Sequence, residues 1–121
     1  ASPWWRVSCV RRSERKSSPS SPFNTAAFQQ EASRRLSMPV GVVMRHAQRL
    51  YEGVRVDGEE RGLITYMRTD GVSMSEEAID ATRRYVAKAF GTGPEWLPEA
   101  PRVYRSKAKN AQEAHEGIRP V

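Results

Sequence analysis

The sequence predicts a mainly α fold with a small β component, that is, an α+β domain. Three stretches carry apolar residues at helical spacing, whereas only short stretches alternate in the manner of strands. An Asp57-Gly58 pair at the centre of residues 55–60 is typical of a hairpin tip. At 121 residues the chain is long enough for one domain or a part of one.

The charge balance favours a polyanionic partner. Twenty Lys and Arg against fourteen Asp and Glu give a net charge of +6, which draws a protein toward nucleic acids or acidic surfaces. No run of about 20 apolar residues is present, so no membrane span is expected. The single cysteine, Cys9, excludes an internal disulfide and favours a reducing cytoplasm. The start at Ala1, with neither methionine nor a signal peptide, suggests a piece of a longer protein.

The first 21 residues have a composition unlike the rest. In residues 1–10, Trp5, Val7 and Cys9 alternate with polar neighbours, which predicts an edge strand whose tryptophans need a partner surface. Residues 11–21 are basic and rich in serine and proline, which is typical of a linker. We therefore expect a division into residues 1–21 and 22–121.

Two helices are predicted after the linker. Asn24 or Thr25 can cap the first helix, and Pro39 fits the first turn of the second. Apolar residues at helical spacing line one face of each helix, and we expect these faces to pack together; they are Phe28, Ala32 and Leu36, then Val40, Val43, Met44, Ala47 and Leu50. The opposite faces carry arginines that either track a phosphate backbone or are simply solvated, namely Arg34, Arg35, Arg45 and Arg49.

A third helix is predicted beyond residue 72. Ser73 or Ser75 can cap it, Ser73 and Glu76 have capping-box spacing, and Gly91 ends it. Its predicted inner face holds Ile79, Thr82, Val86 and Ala89 or Phe90. Three prolines then favour an extended connection, with Trp96 and Leu97 packed on the core; they are Pro94, Pro98 and Pro101. A last short helix is predicted over residues 110–116.

The segment between Gly62 and Gly71 carries the candidate chemistry. A strand over residues 63–68 would place Tyr66 and Arg68 on one face. Tyrosine is one of the few oxygen nucleophiles among side chains, and the arginine fork suits phosphate oxygens, so the pair suggests chemistry on a phosphodiester. From the local pattern alone, a structural aromatic ring beside a solvated arginine is the alternative.

Four segments in order resemble bacterial DNA topoisomerase I, a type IA topoisomerase. They are Pro-Phe-Asn-Thr at 22–25 with Gln-Gln-Glu-Ala-Ser at 29–33, Ala-Gln-Arg-Leu-Tyr-Glu at 47–52, Leu-Ile-Thr-Tyr-Met-Arg-Thr-Asp at 63–70, and Asn-Ala-Gln-Glu-Ala-His-Glu at 110–116 followed by Ile-Arg-Pro at 118–120. One such segment alone would be a weak signal. Together they cover nearly all of residues 22–121.

The resemblance implies roles for individual residues. Tyr66 would be the nucleophile that becomes joined to a 5′-phosphate, and Arg68 would contact the scissile phosphate. The helix over residues 110–116 would bring His115 toward Tyr66, where it would contact phosphate or relay a proton. We also expect DNA contacts from Arg68, Thr69, Asp70, Gln48, Arg49 and Arg45. The implied activity is ATP-independent relaxation of negatively supercoiled DNA through cleavage of one strand, strand passage and religation.

The resemblance also implies an architecture and partners. Residues 22–121 would form a winged-helix tyrosine domain like that of catabolite activator proteins, and residues 1–21 would be a strand and linker of the arch-like gate domain. Single-stranded DNA, supercoiled DNA and the Toprim and gate domains are the expected partners, in the bacterial cytoplasm at the nucleoid. Mg²⁺ is expected for the full enzyme, held by a separate Toprim domain. The carboxylates here are isolated, as Asp70 and Glu113 are, so we expect neither bound metal nor activity from this chain alone.

Two departures from the family pattern stand near the site. Gly71 replaces the usual serine, which would loosen the turn, and Gly117 replaces alanine at a cost of about 1 kcal/mol if that position is helical. Two other functions remain open: a noncatalytic single-stranded-DNA-binding module on the same scaffold, and a scaffold whose basic surface binds protein or membrane.

Overall fold

The computed structural model describes residues 3–106 and 115–121 and confirms the mainly α fold with a small β component. Within those residues the elements are α1 (Thr25–Leu36), α2 (Val40–Glu52), β1 (Val54–Val56), β2 (Glu59–Arg61) and α3 (Glu76–Ala89). A helix pair followed by a hairpin is the order that the winged-helix prediction requires. None of the described helices is long and apolar enough to cross a membrane.

The first two helices begin where their sequence signals predict. Asn24 is the N-cap of α1, and its side-chain oxygen accepts a hydrogen bond from the Ala27 N–H at 2.9 Å. Pro39 precedes α2, in which Val43 and Ala47 are buried. α1 packs against α2, but Leu36 and Val40 of the predicted apolar faces are 61% and 45% exposed.

The hairpin forms at the predicted turn. β1 and β2 are antiparallel, with Val54 opposite Arg61 and Val56 opposite Glu59. Asp57 and Gly58 connect them with φ of 52° and 84°. Positive φ at both central residues is the geometry of a two-residue hairpin loop, which Asp-Gly adopts readily.

The predicted strand over residues 63–68 is wrong. Ile64 forms only an isolated antiparallel bridge with Pro120, and the rest of the segment is irregular. A strand forms when a neighbouring strand bonds its backbone along several residues. Among the described residues, the segment 63–68 has only this one bridge.

The core lies between α1, α2 and this irregular segment. Ala47, Met67 and Ile118 are its buried members, and partly buried apolar or aromatic side chains pack around them, namely Phe28, Met44, Ile64 and Tyr66. Met67 is 1% exposed. The residue that follows Tyr66 therefore anchors its segment in the core.

α3 begins later than the Ser73 capping box predicts, because its N-cap is Ser75. Ser75 is the N-cap and accepts a hydrogen bond from the Ala78 N–H at 3.2 Å, so Glu76 is already the first helical residue. The Ser73 capping box is wrong for that reason. At the other end, the N–H of Gly91 donates to the Val86 carbonyl, and Gly91 has φ of 127°, which confirms it as the residue that ends the helix.

Fewer of the predicted inner-face residues of α3 are buried than the sequence pattern indicates. Ala78 is buried and Ile79 and Val86 are half-buried, whereas the other predicted positions are exposed, namely Thr82, Ala89 and Phe90. Trp96 is 50% exposed and stacks on Phe90 with ring centroids 5.2 Å apart. Its predicted place on the core is wrong, while Leu97 is half-buried.

The termini differ from the predicted elements. Residues 3–10 form no strand, and Trp4 and Trp5 are 96% and 89% exposed, because no neighbouring strand pairs with this segment in the described chain. The division at residue 21 stays a prediction. Of the predicted last helix, residues 110–114 lie outside the described residues, and residues 115 and 116 are not helical.

Candidate active site

Tyr66 lies between two other rings. Its ring centroid is 5.2 Å from that of Tyr51 in an edge-on contact and 5.1 Å from that of His115 in a tilted one. Edge-on and tilted ring pairs are favourable arrangements that restrict how a ring can turn. The structure thus brings His115 to Tyr66 as the sequence predicts, although on an irregular segment rather than a helix.

Thr25 fixes the segment after Tyr66. Its hydroxyl donates to the Met67 carbonyl at 2.8 Å and accepts from the Thr69 N–H at 2.8 Å, and its own N–H donates to the Thr69 carbonyl at 3.0 Å. The start of α1 therefore holds residues 67–69 by both side chain and backbone.

Thr65 fixes the segment before Tyr66 in the same way. Its hydroxyl donates to the Gly117 carbonyl at 2.8 Å and accepts from the Arg119 N–H at 3.0 Å. Its N–H donates to the Arg119 carbonyl at 2.9 Å. Tyr66 consequently sits between two anchored points of backbone.

An open cleft of about 350 Å³ adjoins this segment, and its lining within the described part of the chain consists of Thr25, Arg68, Thr69, Asp70 and His115. Arg68 and Asp70 are exposed, and Arg68 forms no ion pair within the part of the chain that the structure describes. A guanidinium without a carboxylate partner is free to hold an anion that enters the cleft. Thr69 is buried, and its hydroxyl accepts from the Gly71 N–H at 2.9 Å.

The three predicted DNA contacts on α2 do not line this cleft. Gln48 donates to the Glu52 carboxylate at 2.6 Å, while Arg45 and Arg49 are exposed. Arg49 instead lines an apolar pocket of about 340 Å³ with Leu36, Met38, Val43, His46, Leu50 and Val54. The two arginines of α1 pair with Glu31 at 2.7 and 3.1 Å on the exposed surface, which favours solvation for them; they are Arg34 and Arg35.

The two glycine departures are tightly packed. Gly71 is buried against the His115 carbonyl, so the turn is closed rather than loosened. Gly117 is also buried, and its N–H donates to the Ser73 carbonyl at 2.8 Å. Because Gly117 is not helical, the expected cost in helix propensity does not arise.

Tyr51 and Glu116 belong to the matched segments, but sequence reasoning gave them no role. Glu116 accepts hydrogen bonds from the Arg119 guanidinium at 2.8 Å and from the Ser75 N–H at 3.0 Å. The Arg119 bond is the largest cause that holds the pKa of Glu116 below its ordinary value, and the Ser75 bonds add to it. Glu116 therefore ties the His115 segment to the start of α3. The contacts of Glu116 with Ser75 and of Tyr51 with Tyr66 join residues far apart in the sequence, and such contacts leave no periodic signal.

The described residues do not fit a metal ion. Residues 3–106 and 115–121 contain no group of three or more His, Cys, Asp and Glu that could hold one. Among the residues that the structure describes, Asp70 is the carboxylate that lines the cleft. We therefore derive no chemical step through a metal at this site.

The chain is similar to known proteins over nearly its whole length. A family model described as DNA topoisomerase matches residues 2–121. The DNA topoisomerase 1 of Rickettsia bellii is 48% identical over 117 residues, which cover 97% of this chain and 14% of that protein. That of Xylella fastidiosa (strain Temecula1) is 49% identical over 117 residues, 95% of this chain and 14% of that protein.

A solved structure leads to the same family. Full-length topoisomerase I from Thermotoga maritima matches 84% of this chain and 15% of its own with a TM-score of 0.64 and 35% sequence identity. The chain is thus a domain of the topoisomerase class, and it belongs to the bacterial type IA DNA topoisomerase family. It spans 14% of the length of each of the two curated relatives named above.

Proposed function

We propose that this chain supplies the nucleophile of a type IA topoisomerase that relaxes negatively supercoiled DNA. The Tyr66 phenolic oxygen attacks a backbone phosphorus, a P–O bond to tyrosine forms, and the P–O3′ bond breaks. The phenol loses its proton, and the leaving 3′ oxygen gains one. Strand passage and the reverse reaction then reseal the strand. One phosphoester is exchanged for another, so the transesterification needs no nucleotide cofactor.

The observation that carries the proposal is the placement of Tyr66 between Tyr51 and His115 beside the cleft that Arg68 lines. Arg68 is exposed and suited to the negative charge that grows on the phosphorus oxygens during attack. His115 lines the same cleft, where it contacts the phosphate or relays a proton. The rings and threonine hydroxyls fix the nucleophile before DNA arrives.

Single-stranded DNA is the proposed ligand of the cleft. A net charge of +6 attracts a polyanion, and the cleft is open to solvent beside the exposed Arg68. Thr69 and Asp70 contact the strand beside Arg68 in this proposal. Gln48, Arg45 and Arg49 lie outside the cleft and contact flanking nucleotides.

The proposal assigns the remaining chemistry to other domains of the full-length protein. An ordinary phenol keeps its proton up to about pH 10, so a tyrosine nucleophile at neutral pH needs help to lose it. Mg²⁺ held by a Toprim domain would supply electrostatic stabilisation there, and the gate domain would complete the strand-passage machinery. The chain alone is then expected to leave supercoiled plasmid unrelaxed. The full protein would work on bacterial DNA in the cytoplasm.

Complementation tests the proposal. The chain is mixed with a separately expressed Toprim-containing N-terminal fragment of a bacterial topoisomerase I, Mg²⁺ and a radiolabelled single strand, and covalent protein–DNA adduct is measured after denaturation. We expect an adduct from the wild-type chain and none from Tyr66→Phe. Tyr85→Phe is the matched control, because Tyr85 is 66% exposed on α3 and away from the cleft. An adduct that survives Tyr66→Phe would refute the assignment of the nucleophile.

A noncatalytic DNA-binding module is the second candidate, and the net charge of +6 and the exposed Arg68 in the cleft support it. Such a module would bind single-stranded DNA with strong salt dependence, tolerate Tyr66→Phe and form no adduct with any complementing fragment. Salt-insensitive binding to a protein or membrane would instead support the scaffold function.

A further inference from the structure

Gly62 and Gly71 bracket Tyr66, and each packs against a backbone carbonyl. A Cβ on Gly62 would lie 2.7 Å from the Tyr51 carbonyl oxygen, and a Cβ on Gly71 would clash with the His115 carbonyl oxygen. Neither glycine has a left-handed backbone. These positions therefore require glycine because a side chain has no room there, and not because of the backbone φ.

The two carbonyls belong to the residues whose rings contact Tyr66. Gly62 lets the chain lie against the end of α2, where the Leu63 N–H donates to the Leu50 carbonyl at 2.7 Å. Tyr51 follows Leu50 in that last turn and points its ring at Tyr66. A side chain at residue 62 would push the segment away from the helix that carries Tyr51.

The contact at Gly71 is built in the same way. Its N–H donates to the Thr69 hydroxyl, and that hydroxyl reaches the His115 carbonyl at 3.4 Å. A side chain at residue 71 would push the His115 backbone outward. Since the His115 ring contacts Tyr66 at 5.1 Å, its displacement would leave one side of the Tyr66 ring unsupported.

We propose that Gly62 and Gly71 are positioning residues, which seat the Tyr51 and His115 rings against the Tyr66 ring from opposite ends of its segment. The consequence for catalysis rests on the proposed function: a ring that packs against two other rings presents its hydroxyl in one direction. A serine at residue 71 carries the same Cβ as alanine, so this chain holds His115 closer to residue 71 than a serine there would permit.

Nuclear Overhauser effects in the 121-residue chain test the seating directly. We expect contacts from the Tyr66 ring protons to the rings of both Tyr51 and His115. Gly62→Ala should weaken the contact with Tyr51, and Gly71→Ala and Gly71→Ser should weaken the contact with His115. Gly41→Ala is the matched control, because a Cβ on Gly41 meets nothing within 4 Å, and it should keep both contacts.

Adduct formation in the complementation assay tests the catalytic consequence. At saturating DNA, Gly62→Ala and Gly71→Ala should slow adduct formation by about 10- to 100-fold, the size of effect that a misplaced reacting group causes. The DNA concentration that gives half the maximal rate should stay unchanged, because neither glycine contacts the ligand. Gly41→Ala should react at the wild-type rate.

The outcomes separate this proposal from the proposed function. Missing ring contacts in the wild-type chain overturn the seating even if a glycine variant fails to fold, and folded variants that keep both contacts and the wild-type rate overturn it as well. Ring contacts that respond as expected in a chain that forms no adduct support the seating and count against the proposed function alone.

Discussion

Thr25 and Thr65 stand on either side of Tyr66 in space, and the hydroxyl of each donates one hydrogen bond and accepts another. These bonds satisfy backbone groups at Met67, Thr69 and Arg119 that a neighbouring strand would otherwise have bonded. An alternating pattern gives a strand only where a neighbouring strand is present to pair with it. Here two side chains take its place, so the pattern over residues 63–68 misled.

Replacement of Thr25 by valine should destabilise the chain. Thr25→Val keeps the shape but leaves the Met67 carbonyl and Thr69 N–H without these partners, and a part-buried polar group that loses its bond costs about 1–3 kcal/mol. Urea unfolding followed by circular dichroism measures the loss. Thr92→Val is the control, because Thr92 is exposed; an equal loss in both variants would contradict the role given to Thr25.

Glu116 should make stability depend on pH in the acid range. The Arg119 hydrogen bond holds the folded-state pKa of Glu116 below its ordinary value of 4.5. The stabilisation is therefore fully present above the unfolded-state pKa and is lost as pH falls through the lowered folded-state pKa. We expect Glu116→Gln to be less stable than wild type at neutral pH, with a gap that closes below about pH 4.5, as measured by urea unfolding across the pH range.

Glu31→Gln serves as the comparison for that experiment. Arg34 and Arg35 also lower the pKa of Glu31, but this pair of contacts lies on the exposed face of α1. Exposed ion pairs contribute little because water and salt screen them. If Glu31→Gln lowers the unfolding free energy as much as Glu116→Gln does, the contact between residue 116 and α3 stabilises the chain no more than an exposed ion pair.

At the scale of elements, local signals located the helices and the hairpin. Asn24, Pro39, the Asp57-Gly58 pair and Gly91 all act within a few residues of their own positions, which is why the sequence alone predicted them. The start of α3 was ambiguous because Ser73 and Ser75 both satisfy the local rule. Ser73 instead contributes its carbonyl to Gly117, a contact 44 residues away that no local pattern reports.

The cap of α3 gives a prediction at this scale. Ser75→Ala removes the acceptor of the Ala78 N–H and should lower the unfolding free energy by about 1 kcal/mol. Ser73→Ala should change it by less than half as much, because the contact that Ser73 makes with Gly117 uses its backbone. Thermal and urea unfolding of both variants decide between the two serines, and a larger loss in Ser73→Ala would contradict the observed cap.

At the scale of the whole molecule, the chain has a packed part and an extended N-terminal part. Residues 3–18 are exposed throughout and form no helix or strand. Pro19 is tied to the packed part, because its carbonyl accepts a hydrogen bond from the Tyr104 hydroxyl at 2.9 Å. Exposed tryptophans at residues 4 and 5 form a surface that favours a partner, and the gate domain is the partner we propose.

Deletion of residues 1–18 should therefore leave the packed part intact. We expect the unfolding free energy to change by less than about 0.5 kcal/mol, as for exposed groups without partners. Far-ultraviolet circular dichroism during urea unfolding provides the measurement. A deletion through residue 21 also removes the Pro19 acceptor and should lower stability further. A large loss from the shorter deletion would show that the N-terminal segment packs on the domain.

The sequence by itself determined the family, the helices, the hairpin turn and the identity of Tyr66, Arg68 and His115 as candidates, because these depend on residue types at short spacing. Only the tertiary structure decided that residues 63–68 are not a strand and that the Tyr51 ring contacts Tyr66 together with the His115 ring. It also decided that Gly62 and Gly71 permit those contacts. Such features depend on backbone groups far apart in the chain meeting in three dimensions, and the spacing of residues along a sequence carries no direct record of that distance.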